Sequence, residues 1–489
     1  MTFEELLKRP GLNPVNDSRK VVPGCVFCAI NGARSDGRRF IPAAVESGAV
    51  CVVSDTDMPG LRVPLIKVED PYLAWAELCE AAAGYPYRTL QFHGVTGTNG
   101  KTTIAFLLRH FFSNRKCGLI STVEYDAGKG VKPSSNTTPD AAGFQKIISE
   151  MKQNELSDCV MELSSHGLHQ HRTGNTKFTS AIFTNLTGDH LDYHHDMESY
   201  YQAKKILFAE LSCGSKIINI DDPWGKRLYQ ECGGQAVSCQ DPSAEFFFSN
   251  ISGTAEGTDF QLKTPCGVIQ IHSPLIGLHN IYNLTEAIAA ALMAGLTEKD
   301  IQEALNRPFA VPGRLERIAL PNGVSAYVDY AHTDDALKRV LSALKQLCKG
   351  RLFCVFGCGG DRDRTKRPRM GKAVAEAADF AIVTSDNPRS EDPEEIIKEI
   401  IAGIPADFSY ETEPDRVKAI HRAAALTQPG DLLLVAGKGH EDYQEINGVR
   451  HHLDDRETLR QPPYLYFFPF LSLVIPIQNF NHKNTRNIN

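Results

Sequence analysis

The stretch TLQFHGVTGTNGKTTIAFLLRHFF, residues 89–112, runs from apolar residues through a glycine-rich segment into a pattern with helical periodicity. The backbone N–H groups of such a loop and the N-terminus of the helix after it can surround phosphate oxygens. Lys101 is placed to neutralise the outer phosphates, and Thr102 is placed to offer a hydroxyl to Mg²⁺. We therefore predict a strand, a nucleotide loop and a helix here, which indicates an α/β nucleotide-binding fold.

The loop lacks the ordinary spacing G-x-x-x-x-G-K-[ST]. The residue five positions before Gly100 is Val95, and Gly94 comes one residue too early. Glycine turns that only cap a helix are the alternative, but they give no reason for a Lys-Thr pair at the loop's end. We predict a variant phosphate loop that contacts ATP through Gly97, Thr98, Asn99, Gly100, Lys101, Thr102 and Thr103.

Outward from the loop, apolar runs alternate with helical patterns in both directions. Residues 1–87 predict a small α/β domain, residues 88–313 a mostly parallel sheet, and residues 314–460 a second open α/β sheet of the Rossmann type. The segment GYPYR is predicted to connect the first two domains. We expect three α/β domains, followed by an atypical tail over 461–489.

Composition narrows the class of protein. The 489 residues carry a net charge of −7 with mixed signs, which disfavours nucleic acid as a partner. The 13 cysteines lie singly in apolar runs, which is typical of reduced, core-packed cysteines. The start MTFEELLKRP has no apolar signal segment, and the stretch YLYFFPFLSLVIPI near the C-terminus is interrupted by prolines and shorter than the roughly 20 residues of a membrane span. We expect a cytoplasmic monomer without a membrane partner.

Three further side chains are candidates for the phosphate end of the site. Glu162 ends the apolar run CVME, and His190 follows the run IFTNL, so each is a possible Mg²⁺ ligand beside Thr102. A lone histidine is more often an ordinary surface histidine. The segment YYQAKKILFAEL adds Lys204 or Lys205, for which a solvated lysine is an equal alternative.

The segment GVTGTNGKTT resembles the nucleotide loop of the Mur ligase superfamily, which comprises the ATP-dependent amide ligases of cell-wall peptide assembly and folylpolyglutamate synthetase. The resemblance implies that Lys204 carries a carbamate derived from CO₂ and that this carbamate is a metal ligand. It also links Glu162 and His190 with Mg²⁺, beside Thr102. The implied catalytic residues are Lys101, Glu162, His190 and Lys204.

Three later segments resemble other nucleotide contacts of the same family. They are HNIYNLTEAIAAA, VPGRLE and YVDYAHTDDAL. The family usually has proline where this chain has Asp334, at an expected helix start where Asp is also acceptable. The contacts implied by these segments are Asn280, Asn283, Arg314, Asp329 and His332.

Segments near the N-terminus and in the middle of the chain resemble the family's binding site for the UDP-muramoyl-dipeptide. NDSRKVVPGCVF and DGRRF match the uridine-nucleotide segment, whereas GARS lacks a histidine-containing stretch found in some members. SNTTPD and SSHGLHQHR match segments that hold the acidic dipeptide, although a turn and a helix start explain either one alone. The implied contacts are Ser18, Asn136, Thr137, Thr138, Ser164, Gln170 and Arg172.

Three turns after apolar strands resemble the family's meso-diaminopimelate positions: GCGGDRDRTKRP, DNPR and GKGHEDYQ. Since the carboxyl ends of parallel strands meet at one edge, these turns are expected to face one crevice. Arg389 is suited to the distal carboxylate and Glu441 to the ammonium group. Lysine lacks that carboxylate and would leave the guanidinium unpaired. The implied contacts are Arg362, Asp386, Asn387, Pro388, Arg389, Gly437 and Glu441.

The resemblance implies an ATP-dependent ligase of peptidoglycan precursor synthesis. It adds meso-2,6-diaminopimelate to UDP-N-acetylmuramoyl-L-alanyl-D-glutamate through an acyl phosphate, with ATP and Mg²⁺. A lysine-adding relative remains an alternative, whereas a folylpolyglutamate synthetase would have no use for the uridine-type domain. A catalytically impaired nucleotide-binding protein is a further alternative, because the tail after residue 460 departs from the family.

Overall fold

The computed structural model describes residues 1–32, 35–254 and 257–461. Three α/β sheets follow one another along the chain, within residues 14–67, 91–273 and 316–436. The predicted fold class is therefore confirmed, while the domain boundaries at 87/88 and 313/314 stay predictions. The atypical tail after Gln461, with its apolar stretch, lies outside the described residues.

Within the described part of the chain, no helix combines the length and the apolar character that crossing a bilayer requires.

The first sheet is parallel throughout, with its strands in chain order. Trp75 and Cys79 on the helix that follows it pack against the sheet in one apolar cluster. That helix ends at Gly84, whose φ of 71° is readily adopted only by glycine, at the connector predicted from GYPYR. The elements are α1 (Phe3–Leu7), β1 (Pro14–Val15), β2 (Val26–Cys28), α2 (Ile41–Glu46), β3 (Cys51–Ser54), β4 (Leu65–Lys67) and α3 (Pro71–Ala83).

The central unit carries the phosphate loop. Its strands are β5 (Gln91–Thr96), β6 (Cys117–Ile120), β7 (Glu124–Asp126), β8 (Val131–Pro133), β9 (Asp158–Glu162), β10 (Phe178–Phe183), β11 (Ser212–Asn219), β12 (Gln235–Ser238), β13 (Phe246–Thr254), β14 (Gly257–Thr264) and β15 (Gly267–Ser273). Its helices are α4 (Lys101–Phe111), α5 (Ala141–Gln153), α6 (Ser165–His169), α7 (Leu191–His194), α8 (Met197–Ile206), α9 (Pro223–Cys232), α10 (Leu278–Met293) and α11 (Glu298–Leu305).

The strand order of the central sheet is β15-β14-β13-β12-β11-β10-β5-β9-β6-β7-β8. The middle of the sheet, from β13 to β6, is parallel, as predicted. Both edges are antiparallel hairpins, which the sequence analysis did not identify. Alternate residues of β5 face opposite layers, so Val95 packs with α4 and α10 while Phe92 packs in the cluster on the other face.

The third sheet has the order β16-β17-β21-β18-β19-β20, parallel except for its first pair. Three neighbouring strands, β21, β18 and β19, are those before the turns singled out in the sequence. The elements are β16 (Glu316–Ala319), β17 (Ser325–Asp329), α12 (Asp334–Leu347), β18 (Leu352–Phe356), α13 (Lys366–Ala377), β19 (Phe380–Val383), α14 (Pro393–Ile401), β20 (Tyr410–Thr412), α15 (Arg416–Leu426), β21 (Leu432–Ala436), β22 (Tyr443–Ile446), β23 (Val449–His452) and α16 (Asp455–Arg460).

The cysteines are all unpaired thiols. Cys213 and Cys266 are exposed and Cys117, Cys232, Cys239 and Cys348 are only partly buried, so the expectation of core packing does not hold for these. The buried ones are Cys25, Cys28, Cys51, Cys79, Cys159, Cys354 and Cys358.

Candidate active site

A cavity of about 640 Å³ lies between the phosphate loop of the central unit and the start of the third unit. Two predicted residues, Gly97 and Lys204, do not line the cavity themselves. Gly97 belongs to the loop that lines it, and Lys204 Nζ donates to the carbonyl of Gly97. The structure thus brings the predicted nucleotide residues to one place. Those that line the cavity directly are Thr98, Asn99, Gly100, Lys101, Thr102, Thr103, Glu162, His190, Asn280, Asn283, Arg314, Asp329 and His332.

The loop itself depends on two glycines with positive φ. Gly97 has φ 145° and Gly100 has φ 89°. A Cβ atom at Gly97 would collide with Thr184 Oγ1, and one at Gly100 would collide with Asn283 Oδ1. Lys101 folds back over the loop, and its Nζ donates to the carbonyls of Gly97 and Thr98 at 2.9 and 2.8 Å. The ammonium group is thereby held at the concave side of the loop by neutral partners.

Glu162 is fully buried at the end of β9 and is held by three hydrogen bonds. Its Oε2 accepts from the hydroxyls of Thr102 and Thr122, each at 3.0 Å, and its Oε1 accepts from Thr122 N at 2.9 Å. Arg314 Nη2 lies 3.0 Å from Thr102 Oγ1. Thr122, which was not predicted, lies two residues after β6, the strand that pairs with β9.

This oxygen-rich set fits Mg²⁺. The described residues include no cluster of three or more His, Cys, Asp and Glu side chains that would bind a metal by themselves. Mg²⁺ is typically bound through one or two carboxylates together with substrate phosphates, so a single buried carboxylate beside a threonine hydroxyl suits it. Glu162 and Thr102 are the side chains that would hold it.

Lys204 is buried beneath the loop with 1% of its surface exposed. Its Nζ donates to Gly97 O at 2.9 Å and lies 4.6 Å from the ring centre of Tyr200. Burial, followed by the charge of Lys101, lowers the pKa of Lys204 well below its ordinary value. Lys205 instead points outward and pairs with Glu231 at 2.8 Å. Of the two lysines, only Lys204 is buried at the loop, which favours it, and its functional role stays a prediction.

His190 has a backbone φ of 54°, which is uncommon for a residue with a side chain. Its Nε2 lies 3.5 Å from Asp189 Oδ2, and although 47% of the side chain is exposed, partial desolvation lowers the pKa of His190 to about 4. Lys366, at the start of α13, donates from Nζ to Asp189 Oδ1 at 2.7 Å. Burial acts to raise the pKa of Asp189, but His190 and Lys366 hold it below its ordinary value. Asp189 and Lys366 were not predicted, and their pair joins the central and third units.

A second bridge joins the loop to α12. Asn99 Nδ2 donates to Asp335 Oδ2 at 3.2 Å, and Arg339 Nε lies 3.0 Å from the same oxygen. Asp334 is the first residue of α12 and Thr333 is its N-cap, as expected of a helix start. Asp335, which follows the Asp334 that stands where the family usually has proline, therefore contacts the phosphate loop.

Four of the residues predicted for the muramoyl-dipeptide form one hydrogen-bonded network. Thr138 Oγ1 donates to Glu162 O at 2.9 Å and accepts from Ser164 N at 2.9 Å. Arg172 Nη1 donates to Thr138 O at 2.7 Å, and its Nε donates to Gln170 Oε1 at 3.1 Å. The network thus reaches the backbone carbonyl of Glu162, the residue whose carboxylate is buried beside Thr102. Ser164 also caps α6, so the simple helix-start interpretation holds for it too.

The remaining predicted dipeptide contacts lie beside or apart from this network. Thr137 Oγ1 accepts from Thr122 at 3.0 Å, and Asn136 O accepts from Tyr125. Ser18 lies in the first unit, in the short 3-10 helix Ser18–Lys20, and none of the contacts described joins it to the other predicted residues.

The three strand-end turns of the third unit meet, as predicted. Asn387 Nδ2 donates to Glu441 Oε2 at 2.8 Å across the crevice. Lys438, which the sequence analysis missed inside GKGHEDYQ, is fully buried and donates to Asn387 Oδ1 and Glu441 Oε2, each at 3.2 Å. Glu441 therefore already has a cationic partner within the protein. A Cβ at Gly437 would press on Asp386 Oδ2, so glycine allows these two turns to approach.

Arg389 lies at the mouth of this crevice. Its φ of 51° turns the chain sharply after Pro388, and Nη1 donates to Gly360 O at 2.7 Å. Nε is 3.9 Å from Glu445 Oε2. The exposed Arg362 lies beside Gly359 together with Arg389, so two arginines border this side of the crevice.

A buried ion pair lies beneath the crevice. Arg416 and Asp455 both have side chains 0% exposed, and Arg416 Nη2 is 2.8 Å from Asp455 Oδ2. Arg416 also donates to Ala436 O at 2.9 Å and to Ser385 O at 3.4 Å. One guanidinium thus ties the ends of two strands to α16.

Comparison with known proteins identifies three consecutive family regions in the chain. Residues 15–82 match the Mur ligase family catalytic domain, residues 95–291 the Mur ligase middle domain, and residues 313–439 the Mur ligase glutamate ligase domain.

A relative from Gloeobacter violaceus, named UDP-N-acetylmuramoyl-L-alanyl-D-glutamate–2,6-diaminopimelate ligase, is 42% identical over 94% of this chain and 98% of its own. A solved structure of a ligase with that name is 34% identical, covers 94% of this chain and 98% of its own, and has a TM-score of 0.67. The MurF ligase from Thermotoga maritima in complex with ADP is 18% identical, covers 88% of this chain and 94% of its own, and has a TM-score of 0.59. That last likeness is one of fold alone.

Proposed function

The chain belongs to the Mur ligase family of ATP-dependent amide ligases, and we propose that it joins meso-2,6-diaminopimelate to UDP-N-acetylmuramoyl-L-alanyl-D-glutamate. One observation carries the amino-acid choice: the crevice of the third unit places Arg389 at its rim and Glu441 at its side. An arginine and a carboxylate suit the carboxylate and ammonium of a second amino-acid head. We place the enzyme in the cytoplasm, as a monomer of peptidoglycan precursor synthesis.

The first half of the proposed reaction is phosphoryl transfer. The dipeptide carboxylate attacks the γ-phosphorus of ATP, the bond to the β,γ-bridging oxygen breaks, and an acyl phosphate and ADP result. Lys101, with its ammonium at the concave side of the loop, stabilises the charge that develops on the phosphate oxygens. The network around Thr138 and Arg172 supports this step, because it connects the dipeptide side to Glu162.

Members of the family use ATP with Mg²⁺, which supplies positive charge beside the phosphate oxygens when it is bound. Glu162 and Thr102 would hold it in this chain, and His190 is the further candidate ligand. We also propose that Lys204 carries a carbamate. Its amine is buried, and burial favours the neutral form, which is the form that attacks the carbon of CO₂ and loses one proton.

In the second half, the amine of diaminopimelate attacks the acyl carbon, and phosphate leaves to give the amide. This step requires the amine bound in the crevice to reach the acyl phosphate that is formed at the cavity. The pair of Lys366 with Asp189 and the contact of Asp335 with Asn99 support it, because both join the third unit to the central unit beside the cavity. Closure of the two units excludes water, which would otherwise hydrolyse the acyl phosphate.

The test compares Arg389→Ala and Arg389→Lys with the wild-type chain, using diaminopimelate and lysine as acceptors and phosphate release as the readout. We expect the wild type to use diaminopimelate and Arg389→Ala to lose about 10²-fold or more in kcat/KM for it. Arg369→Ala, on α13, is the matched control. Use of lysine but not diaminopimelate by the wild type would contradict the proposal, and absence of turnover with either acceptor would favour an impaired homologue.

A further inference from the structure

One buried carboxyl group in the nucleotide cavity has no role in the reaction described above. Glu286 lies on α10, is 0% exposed and lines the cavity. Neither of its carboxyl oxygens has a hydrogen-bond partner within the described part of the chain. Buried polar groups are normally paired, so a fully buried side chain with two free oxygens indicates a partner that enters from the cavity.

Two neighbouring polar side chains, Asp222 and Tyr282, are hydrogen-bonded within the protein. Asp222 accepts from the backbone N–H groups of Trp224, Gly225 and Leu186. Tyr282 donates to Asp221 at 2.6 Å. Glu286, by contrast, has both carboxyl oxygens left for a ligand.

The position of Glu286 identifies which part of a nucleotide it would meet. The phosphate end is fixed by Lys101 and Thr102 in the loop. Asn283 lies against Gly100 of that loop, and Glu286 follows three residues later, one turn further along α10. Trp224 and Tyr282 line the same cavity and add aromatic surface. Aromatic surface beyond the phosphate end suits the base.

Its chemistry matches adenine. Burial, followed by the nearby charge of Asp222, raises the pKa of Glu286 well above its ordinary value, so the neutral carboxyl is favoured. A neutral carboxyl has one O–H donor and one carbonyl acceptor side by side. Adenine presents an amino donor beside a ring-nitrogen acceptor, which amide side chains recognise in the same two-bond manner.

We propose that Glu286 recognises the adenine base of ATP, with its carbonyl oxygen accepting from the 6-amino group and its O–H donating to the adjacent ring nitrogen. This proposal rests on the proposed ATP dependence of the chain. It makes Glu286 a specificity-determining residue for the nucleotide, with no part in the transfer of the phosphoryl group.

Calorimetric titration of the full-length protein with Mg-ATP and with the triphosphate of purine riboside, which lacks the 6-amino group, tests the proposal without turnover. We expect the wild type to bind ATP about tenfold more tightly than the analogue. Glu286→Leu should weaken ATP binding about tenfold and remove the preference, whereas Glu286→Gln should keep it because an amide also offers a donor and an acceptor.

Thr285→Val is the matched control, since this neighbouring hydroxyl is also buried but does not line the cavity. It should leave both affinities unchanged. Equal binding of the two nucleotides by the wild type would overturn the proposal, and this comparison needs no variant. Equal weakening of both nucleotides in Glu286→Leu would also overturn it. Nucleotide binding with the expected preference but without ligation would count against the proposed function alone.

Discussion

The phosphate end of the cavity and the amino-acid crevice differ in the partners of their positively charged side chains. At the phosphate end, Lys101 donates to backbone carbonyls and forms no ion pair with a carboxylate in the described part of the chain, whereas the buried Lys204 favours its neutral form. In the crevice, Lys438 pairs with Glu441, and beneath it Arg416 pairs with Asp455. The first arrangement keeps positive charge for an anionic ligand, and the second suits an amino acid that carries both signs.

The largest expected effect is at the unpaired lysine of the loop. Lys101→Ala should lower ATP turnover about 10³-fold, because the charge developing on the phosphate oxygens loses its nearest cation. The measurement is phosphate release under saturating substrates. Lys205→Ala is the control, because Lys205 pairs with Glu231 at 2.8 Å and makes no described contact with the loop, and it should retain turnover. Turnover by Lys101→Ala near the wild-type level would show that the positive charge at the phosphate end is not used for ATP, which contradicts the contrast with the paired charges of the crevice.

In the crevice, Lys438→Met should act on stability as well as on binding. It leaves Glu441 and Asn387 without their buried partner, which we expect to lower the free energy of unfolding by about 3 kcal/mol. Denaturant titration measures that change, and the KM for diaminopimelate should rise more than the KM for ATP. Lys398→Met, at an exposed pair with Glu395, is the control. Equal changes in both KM values would show that Lys438 does not act on the crevice alone.

The pair between Lys366 and Asp189 joins the two regions, so its loss should uncouple them. Lys366→Met is expected to lower kcat about tenfold while ATP binding stays within about twofold, because the loop itself is intact. Steady-state kinetics and nucleotide titration separate these quantities. Lys372→Met, on the same helix but at an exposed pair with Glu376, is the control. Weaker ATP binding in proportion to kcat would assign Lys366 to the nucleotide site.

The smallest effect concerns pH. Burial lowers the pKa of His194 from its ordinary 6.5 to about 4. A histidine with a lowered pKa contributes stability that is present above 6.5 and is lost as pH falls toward 4. Replacing it by Gln should therefore reduce the loss of stability between those values by about 1 kcal/mol. Denaturant titrations at a series of pH values measure the slope. An unchanged slope in His194→Gln would exclude this residue as the cause.

Sequence reasoning found those parts of the site that depend on local spacing. The loop residues, Glu162 and the strand-end turns all follow from an apolar run and the turn directly after it. Lys204 could not be separated from Lys205 by pattern, because which of them is buried depends on the packing of α8 beneath the loop. The resemblance to a family, not the periodicity, selected it.

The residues that sequence reasoning missed are those whose partners come from a distant part of the chain. Thr122 meets Glu162 across neighbouring strands, and Asp189 meets Lys366 across two units. Lys438 stood inside a segment that had been singled out, but its role depends on Asn387, 51 residues earlier. Each of these contacts is fixed by the strand order, which no local motif contains.

The ion pair between Arg416 and Asp455 has a consequence for how the protein is made. Ribosomes deliver the chain from its N-terminus, and every residue that lines the nucleotide cavity has been added once Val340 has emerged. The support beneath the amino-acid crevice is complete only when Asp455 has followed, more than a hundred residues later. A nascent chain is thus able to fold the central unit's share of the nucleotide cavity well before it is able to select an amino acid, because the third unit's share lies on β17 and α12 and β17 pairs with β21, which ends only at Ala436.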